Sequence, residues 1–473
     1  MTTLATSRIH LPARASATLV VAGLVAPLAA VQGIRGTAAV LGIALVVAIA
    51  VRPVLGVAMV LFFGPLIVGV ARGDLGIVLR PNEALLLAAA AGTALHCAWA
   101  VLVRRVSPWP ALQPLDVAML LLTATGAVLP VLIRYGRGLE LVGDDLLYAA
   151  VFVKYLVLYA TVRIAARTPE DVGLLLRLVL ASGAVVGILS ILQVLDLFGV
   201  PEFLHAWYDN PYASDIGPVT SRGTSTIASS FGTGDVMLMC LALTLAWIVR
   251  MGRVTPLAAA AAALFVAACF SAGSFSGVIG ALVAVLAVGL VTGRLARFGL
   301  LMLPAGLAAA ALAWPAVAGR LAGFESRFGL PSSWIGRLQN LERYVWPELA
   351  TFPNWLVGVR PAARIPAPEA WREWVFIESG HLWLLWTGGV PLMLAFLLLM
   401  GTAARDLWQI GRSDTGPVGI AAIGGFAGTA AIFVLMTLDP HLTVRGAADL
   451  YFPLLALALV PLAARRAGWP TAS

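Results

Sequence analysis

The sequence predicts an all-α protein: a polytopic membrane helix bundle of about 12–14 transmembrane helices, with one large extracytoplasmic loop containing short amphipathic helices. Three observations predict it. The 473 residues are 60% hydrophobic and only 11% charged, where a soluble protein carries about 25% charged residues. The mean hydropathy is +0.95, and no soluble core of this length can use so much apolar surface, so the solvent must be lipid. Apolar blocks recur along the whole chain, interrupted by one polar, Trp- and Arg-rich stretch from Gly319 to Ile377. The chain reads as a single integral membrane domain, residues 1–473, with 319–377 as an outer loop within it.

The elements follow in order. Arg8 and Arg14 precede an apolar run that carries no convincing cleavage site, so it reads as a first transmembrane helix rather than a signal peptide. Candidate spans are about 17–32, 36–51, 53–71, 84–103, 115–133, 146–166, 172–195, 226–249, 256–271, 275–291, 298–318, 380–402, 417–438 and 449–464. Several fall short of the roughly 20 residues a spanning helix needs. Pro304 and Pro315 share one span and predict a kink there. With the N-terminus in the cytoplasm, the cytoplasmic turns collect fifteen arginines against four acids, Glu170, Asp171, Asp406 and Asp414. That satisfies the positive-inside rule and puts both termini in the cytoplasm and the 198–222 and 319–377 loops outside.

Charge excludes some functions. The net charge of +8 comes from residues spread over membrane-flanking turns, with Lys154 the only lysine, which gives nucleic acid no continuous surface. Cys97, Cys240 and Cys269 lie in apolar blocks without CxxC spacing, so neither a disulfide nor a metal site is expected.

Four outer features carry candidate chemistry. Arg222 stands at the mouth of a helix, followed by the hydroxyl run Thr224-Ser225-Thr226 and Ser229-Ser230. A guanidinium beside a helix N-terminus holds an anion such as phosphate, although a snorkelling interfacial arginine has the same sequence signature. Next, Trp334, Leu338, Leu341 and Val345 form one apolar stripe of a helix capped by Ser332 or Ser333 and ended or kinked near Trp346 by Pro347. Such a helix lies on the membrane. Its Arg337 and Arg343 project roughly 120° apart and cannot share a face. The third feature, Pro353 to Arg360, is a hydrophobic turn with a glycine. The fourth is Glu378-Ser379-Gly380-His381, opening the next span. An imidazole suits a general base near neutral pH, and Glu378 lies one turn before it. His441, in Asp439-Pro440-His441, is also external and ranks lower. Five of the fourteen tryptophans, Trp346 among them, fall in the loop, as interfacial anchors or as a stacking surface for sugar rings.

In sequence order these pieces resemble the O-antigen ligase and O-antigen polymerase superfamily of bacterial inner-membrane glycan transferases. The resemblance begins at Phe152-Val153-Lys154-Tyr155 and runs through Arg167-Thr168-Pro169-Glu170-Asp171 and Ile191-Leu192-Gln193. It continues with Arg222 and its small-residue helix start, Ser271-Ala272-Gly273-Ser274, and Arg343…Trp346…Pro353…Gly358. It closes on Glu378-Ser379-Gly380-His381-Leu382…Trp386-Thr387-Gly388-Gly389-Val390-Pro391, covering roughly residues 150–402.

The resemblance implies transfer of a glycan from undecaprenyl diphosphate to a sugar hydroxyl at the outer face of the inner membrane, with inversion and without a metal, nucleotide sugar or other cofactor. Arg222, with one of Arg337, Arg343 or Arg360, would bind the diphosphate; His381, beside Glu378, would activate the acceptor; Trp346 would help hold substrate. The implied partners are the lipid-linked donor, an acceptor glycan or glycolipid, membrane lipid and a regulator of chain length. Leu382 stands where an amide residue is often found, and Glu378 looks more like polymerase members, so the resemblance leans toward a polymerase or a broader exopolysaccharide role over a ligase. The other reading is a transporter or flippase, for which Lys154 and Arg177, placed near span ends, are the main intramembrane charges.

Overall fold

The computed structural model describes residues 40–70, 79–208, 222–321, 332–367 and 374–460. The expected span at about 17–32 lies outside them. The described chain forms α1 (Val40–Val51), α2 (Val54–Ile67), α3 (Pro81–Leu102), α4 (Pro114–Thr123), α5 (Leu129–Gly136), α6 (Gly143–Ala165), α7 (Pro169–Val194) and α8 (Val200–Trp207). Next come α9 (Ser230–Met251), α10 (Pro256–Ser271), α11 (Phe275–Thr292), α12 (Leu295–Leu312) and α13 (Trp314–Leu321). The large loop supplies α14 (Ser332–Asn340), α15 (Trp346–Ala350), α16 (Asn354–Val357) and an antiparallel hairpin of β1 (Arg364–Pro366) and β2 (Trp374–Phe376), with Ile365 opposite Val375. The bundle closes with α17 (Gly380–Ser413), α18 (Pro417–Leu435) and α19 (Ala447–Ala458).

This is a polytopic, all-α membrane bundle. Eight of the described helical stretches are long and apolar enough to cross a bilayer, and five shorter apolar helices accompany them. At its centre stand α9 and α18, with 83% and 78% of their apolar windows buried, against 33% for α3 at the rim. Small residues let these helices approach. A Cβ on Gly183 of α7 would lie 2.5 Å from Cys240 Sγ on α9, and one on Gly234 would lie 3.1 Å from the Gly277 Cα on α11. In lipid, where apolar side chains gain nothing by leaving a solvent as apolar as themselves, such close backbone packing holds helices together.

Several helices start where local chemistry dictates. Thr168 accepts the Asp171 N–H while Asp171 accepts the Thr168 N–H, a reciprocal cap that starts α7 after the Arg167-Thr168-Pro169 turn. Ser229, Ser274 and Thr255 cap α9, α11 and α10 in the same one-sided way.

Two irregularities that the prolines predict, and one departure from the sequence expectation, stand out. Near Trp346, where an end or a kink is expected, the amphipathic loop helix is distorted but not ended. It passes through a π turn, Leu341–Val345, and continues as α15, just as α4 passes through Ala124–Val128 into α5. In each case a proline, Pro347 or Pro130, follows at the second position, and the wider turn accommodates its missing N–H and crowded ring. The span expected at about 298–318 is broken at Ala313, two residues before Pro315, which has no N–H to continue the helix ladder back to Ala311 and whose ring crowds that turn. Finally, Lys154 sits in the middle of α6 and not near its end.

A shortened helix makes room for a site. Arg163 Nη1 donates to the Leu459 carbonyl, tying the end of α6 to the end of α19. At 1.5 Å per residue, the 12 residues of α19 span about half the length of the 23-residue α6. The N-terminus of α19 therefore stops halfway along α6, where Asp449 Oδ1 meets Lys154 Nζ at 2.7 Å. Irregular chain, 436–446 and 222–229, fills the level above it. Non-helical backbone at membrane depth is tolerated where protein or a cavity satisfies its polar groups.

Candidate anion-binding site

Three motifs separated along the chain converge on Arg222. The Gln193 amide, at the end of α7, accepts the Ser225 N–H at 2.8 Å and donates to Thr224 Oγ1 at 3.1 Å. The Ser271 carbonyl, at the end of α10, accepts the Gly223 N–H at 2.8 Å. Ser190 and Ser271 hydroxyls meet at 2.7 Å behind it. A Cβ at Gly223 would lie 2.1 Å from Ser190 Oγ and 3.0 Å from the Ser271 carbonyl, so only glycine fits beside Arg222. Ser225 and Ala228 both have positive φ, 49° and 54°. Two non-glycine residues in the left-handed region within four positions mark a strained segment held by its surroundings.

Arg222 itself is half-buried, and its side chain has no hydrogen-bond acceptor or carboxylate partner among the described residues. Burial and the positive charge of Arg337 both lower its pKa from the ordinary arginine value. A cation this desolvated, next to a second cation, favours the approach of an anion.

Arg337, on α14, is neutralised instead. It lies 3.1 Å from Glu378 Oε2 through Nε, at an angle too oblique for a hydrogen bond, and 3.2 Å from Asp439 Oδ2, and it donates to the Leu438 carbonyl. A small cavity opens here, lined by Phe231, Phe275, Ser276, Trp334, Arg337, Leu438 and Asp439. The Ser276 hydroxyl in its wall is buried without a partner among the described residues. Behind Phe231, His441 Nδ1 meets Asp235 Oδ2 at 2.7 Å, both side chains sealed from solvent. Among the described residues, His441 Nε2 and Asp235 Oδ1 are buried without partners. Burial disfavours the His441 imidazolium, but the adjacent Asp235 carboxylate outweighs it and the net shift is upward. Burial likewise raises the Asp439 carboxyl, against the opposing pull of Arg337 and His441.

The other sequence candidates divide. Glu378 joins this cluster through Arg337. The His381 side chain makes no hydrogen bond or ion pair among the described residues; its ring packs edge-on against Phe396 and Phe433, with centroids 5.8 Å and 5.9 Å away. The His381 backbone N–H donates to the Met436 carbonyl. Fifteen residues of straight helix would put Phe396 about 22 Å from His381, so α17 folds back on itself. The fold-back occurs at Gly389 (φ 63°, ψ −157°), where a Cβ would strike the Leu356 carbonyl. Arg343 is exposed and lies over the Tyr344 ring, and Trp346 is exposed beside it. Arg360 belongs to a different group, bonded to Asp145 at 3.0 Å. Arg337 and Arg343 have different surroundings, the first paired with Glu378 and Asp439 and the second exposed.

The Asp235–His441 pair was not singled out from the sequence. Its signal was there: Asp235 is the one carboxylate within α9, an apolar span, and an acid inside a span needs a partner. Among the described residues no group of three His, Cys, Asp or Glu side chains is close enough to hold a metal ion. No family model matches the chain, and a search of curated proteins finds no match.

Proposed function

We propose that the protein transfers or polymerises glycan, from undecaprenyl diphosphate onto a sugar hydroxyl, at the outer face of a bacterial inner membrane. One observation carries the reading: Arg222 is a half-buried cation without a counter-ion among the described residues, within reach of the charge of Arg337, which lines a cavity. A diphosphate supplies the missing charge. Once it is neutralised by fixed guanidinium groups it is a good leaving group. The acceptor oxygen bonds to the anomeric carbon, the carbon–oxygen bond to the diphosphate breaks, and the carrier diphosphate departs with the bonding pair. The hydroxyl proton passes to His381, the half-buried imidazole one turn from Glu378, and configuration inverts. The His441–Asp235 pair is sealed and forms the floor of the site.

Support comes from the convergence of the Gln193, Arg222 and Ser271 motifs, which carried the family resemblance, on one backbone segment. Both termini are placed in the cytoplasm and the site in the periplasm on the arginine count of the turns. The second reading, a transporter for a lipid-linked or anionic substrate, is favoured by the Lys154–Asp449 pair halfway along α6.

The test replaces Arg222 and His381 in turn, Arg222→Gln and His381→Ala, and follows surface polysaccharide on a gel with protein level in the membrane as control. Loss of polymer at normal protein level is expected for both. Polymer of normal length and attachment in both variants would overturn the reading. Single repeat units on the acceptor identify a polymerase; a bare acceptor with polymer left on its carrier identifies a ligase.

A further inference from the structure

The second cavity at this end of the bundle is built around arginines. It is lined by Pro130, Ile133, Val357, Gly358 and Thr387 together with Arg134, Arg137 and Arg360. Three elements bring these guanidinium groups together. The π turn between α4 and α5 sets the direction of α5, which carries Arg134 and Arg137 on its last turn and C-cap. Gly358, at φ +89°, turns the chain after α16 so that Arg360 meets them. The Val359 and Arg360 N–H groups donate to the Trp386 carbonyl and pin that turn to the folded-back start of α17.

Charge at the cavity is unbalanced. Asp145 is fully buried and takes Arg360 Nε at 3.0 Å, Arg134 Nε at 3.5 Å and the Ala362 N–H at 3.2 Å. The cavity wall thus holds three guanidinium groups, of which Asp145 pairs with two, Arg360 and Arg134. Asp144 is engaged with Arg364 at 3.8 Å, and Glu140 forms no ion pair among the described residues. Arg134 spends Nη1 on the Val359 carbonyl, and Arg137 spends Nη1 on Asn354 Oδ1. Among the described residues, both terminal nitrogens of Arg360 and the Nη2 groups of Arg134 and Arg137 have no acceptor. Asp145 therefore fixes Arg360 through its Nε, while Arg134 Nε donates to the Glu140 carbonyl at 2.7 Å with Asp145 beside it, and the outer donors stay free. That is the geometry for a multidentate oxyanion, with several parallel charge-assisted hydrogen bonds.

The rim is apolar. Phe352, Trp355, Leu356 and Leu139 are all exposed around it, as suits a surface at the boundary of water and acyl chains. We propose that Arg134, Arg137 and Arg360 form a second anion site, separate from Arg222, that takes the phosphate group of a lipid at the membrane interface. Two lipids carry that chemistry: a polyprenyl diphosphate and a bilayer phospholipid. Transfer between two lipid-anchored substrates needs two such anchors, but the site's binding of phosphate does not rest on the transferase reading.

The experiment uses the full chain in phosphatidylcholine nanodiscs, titrated with undecaprenyl diphosphate or with phosphatidylglycerol, and counts bound lipid by native mass spectrometry. Arg137→Gln is the main variant, because Arg137 makes no contact with Asp145 and its loss leaves that carboxylate paired. Arg360→Lys is the second, keeping the charge but losing the planar fork. Each is expected to weaken one lipid-binding event by about tenfold or more, the worth of a charge-assisted bond. Loss confined to undecaprenyl diphosphate identifies the diphosphate lipid as occupant; loss confined to phosphatidylglycerol identifies the bilayer headgroup. If both variants bind both lipids like the unaltered protein, the site is refuted. Arg222→Gln serves as the separate control: unchanged undecaprenyl diphosphate binding there would sink the transferase reading and leave this one standing.

Discussion

Arg163 and Arg222 stand at opposite ends of α7's length and show two fates of a buried arginine. Arg163 is 2% exposed and fully matched: Nε and Nη2 grip both oxygens of Asp116 at 3.1 Å and 3.2 Å, and Tyr159 donates to the same carboxylate at 2.5 Å. Arg222 is half-buried, without a carboxylate among the described residues, and faces another cation. The first arrangement locks α4, α6 and α19 together and has no capacity left. The second keeps its charge for something that arrives. A buried ion pair is weak evidence for net stability, but breaking one leaves an uncompensated charge. The two arginines should therefore separate cleanly into a stability residue and a function residue.

The largest expected effect tests the matched end. Asp116→Ala strands the Arg163 guanidinium among buried helices and should cost about 3–5 kcal/mol, read as a lowered melting temperature in detergent and a loss of folded protein in membranes. An equal loss from Arg222→Gln would erase the distinction. That variant is expected to keep its melting temperature or raise it, since it removes repulsion toward Arg337, while turnover falls by about a hundredfold or more. Smaller still is Gly223→Ala. Ser190 can rotate its hydroxyl away, but the Ser271 carbonyl is helix backbone and cannot. Crowding of this kind costs about 1–3 kcal/mol and moves Arg222, so activity should fall more than stability does.

How far the sequence carries this comparison depends on the range of the interaction. Local features were readable. Within the described residues the apolar blocks became helices and Ser332 to Trp346 became an amphipathic helix, whereas the span expected at about 380–402 is folded back at Gly389. Arg222 was readable as an anion candidate because its neighbours in sequence are also its neighbours in space. Pairings were not readable. Arg360 and Asp145 are 215 positions apart and His441 and Asp235 are 206 apart, and no periodicity or cap links them. Which of Arg222, Arg337 and Arg360 is neutralised depends on those distant carboxylates alone. The orientation of His381 was hidden for the same reason: it follows from the φ of Gly389 and from where α18 ends.

The smallest prediction concerns pH and sharpens the contrast at the unmatched end. Groups that face His441 come from three elements: Asp235 on α9, Asp439 two residues before it, and Arg337 on α14. Its folded-state pKa is raised above the ordinary imidazole value, so the contribution to stability is complete below about pH 6.5 and is lost as pH rises through the folded value. Asp439 is also raised, by burial, so its protonated form is favoured in the fold and its effect has the same sign, beginning near pH 4. Both therefore make stability fall as pH increases, the reverse of an ordinary salt-bridged carboxylate. The slope is at most about 1.4 kcal/mol per pH unit for each group. Melting temperature measured from pH 5 to 8 should decline toward the alkaline end, and His441→Gln should flatten the decline above pH 6.5. If stability instead rises across that interval and His441→Gln changes nothing, the pair is not an imidazolium held by a carboxylate, and the floor of the site carries no positive charge beyond its arginines.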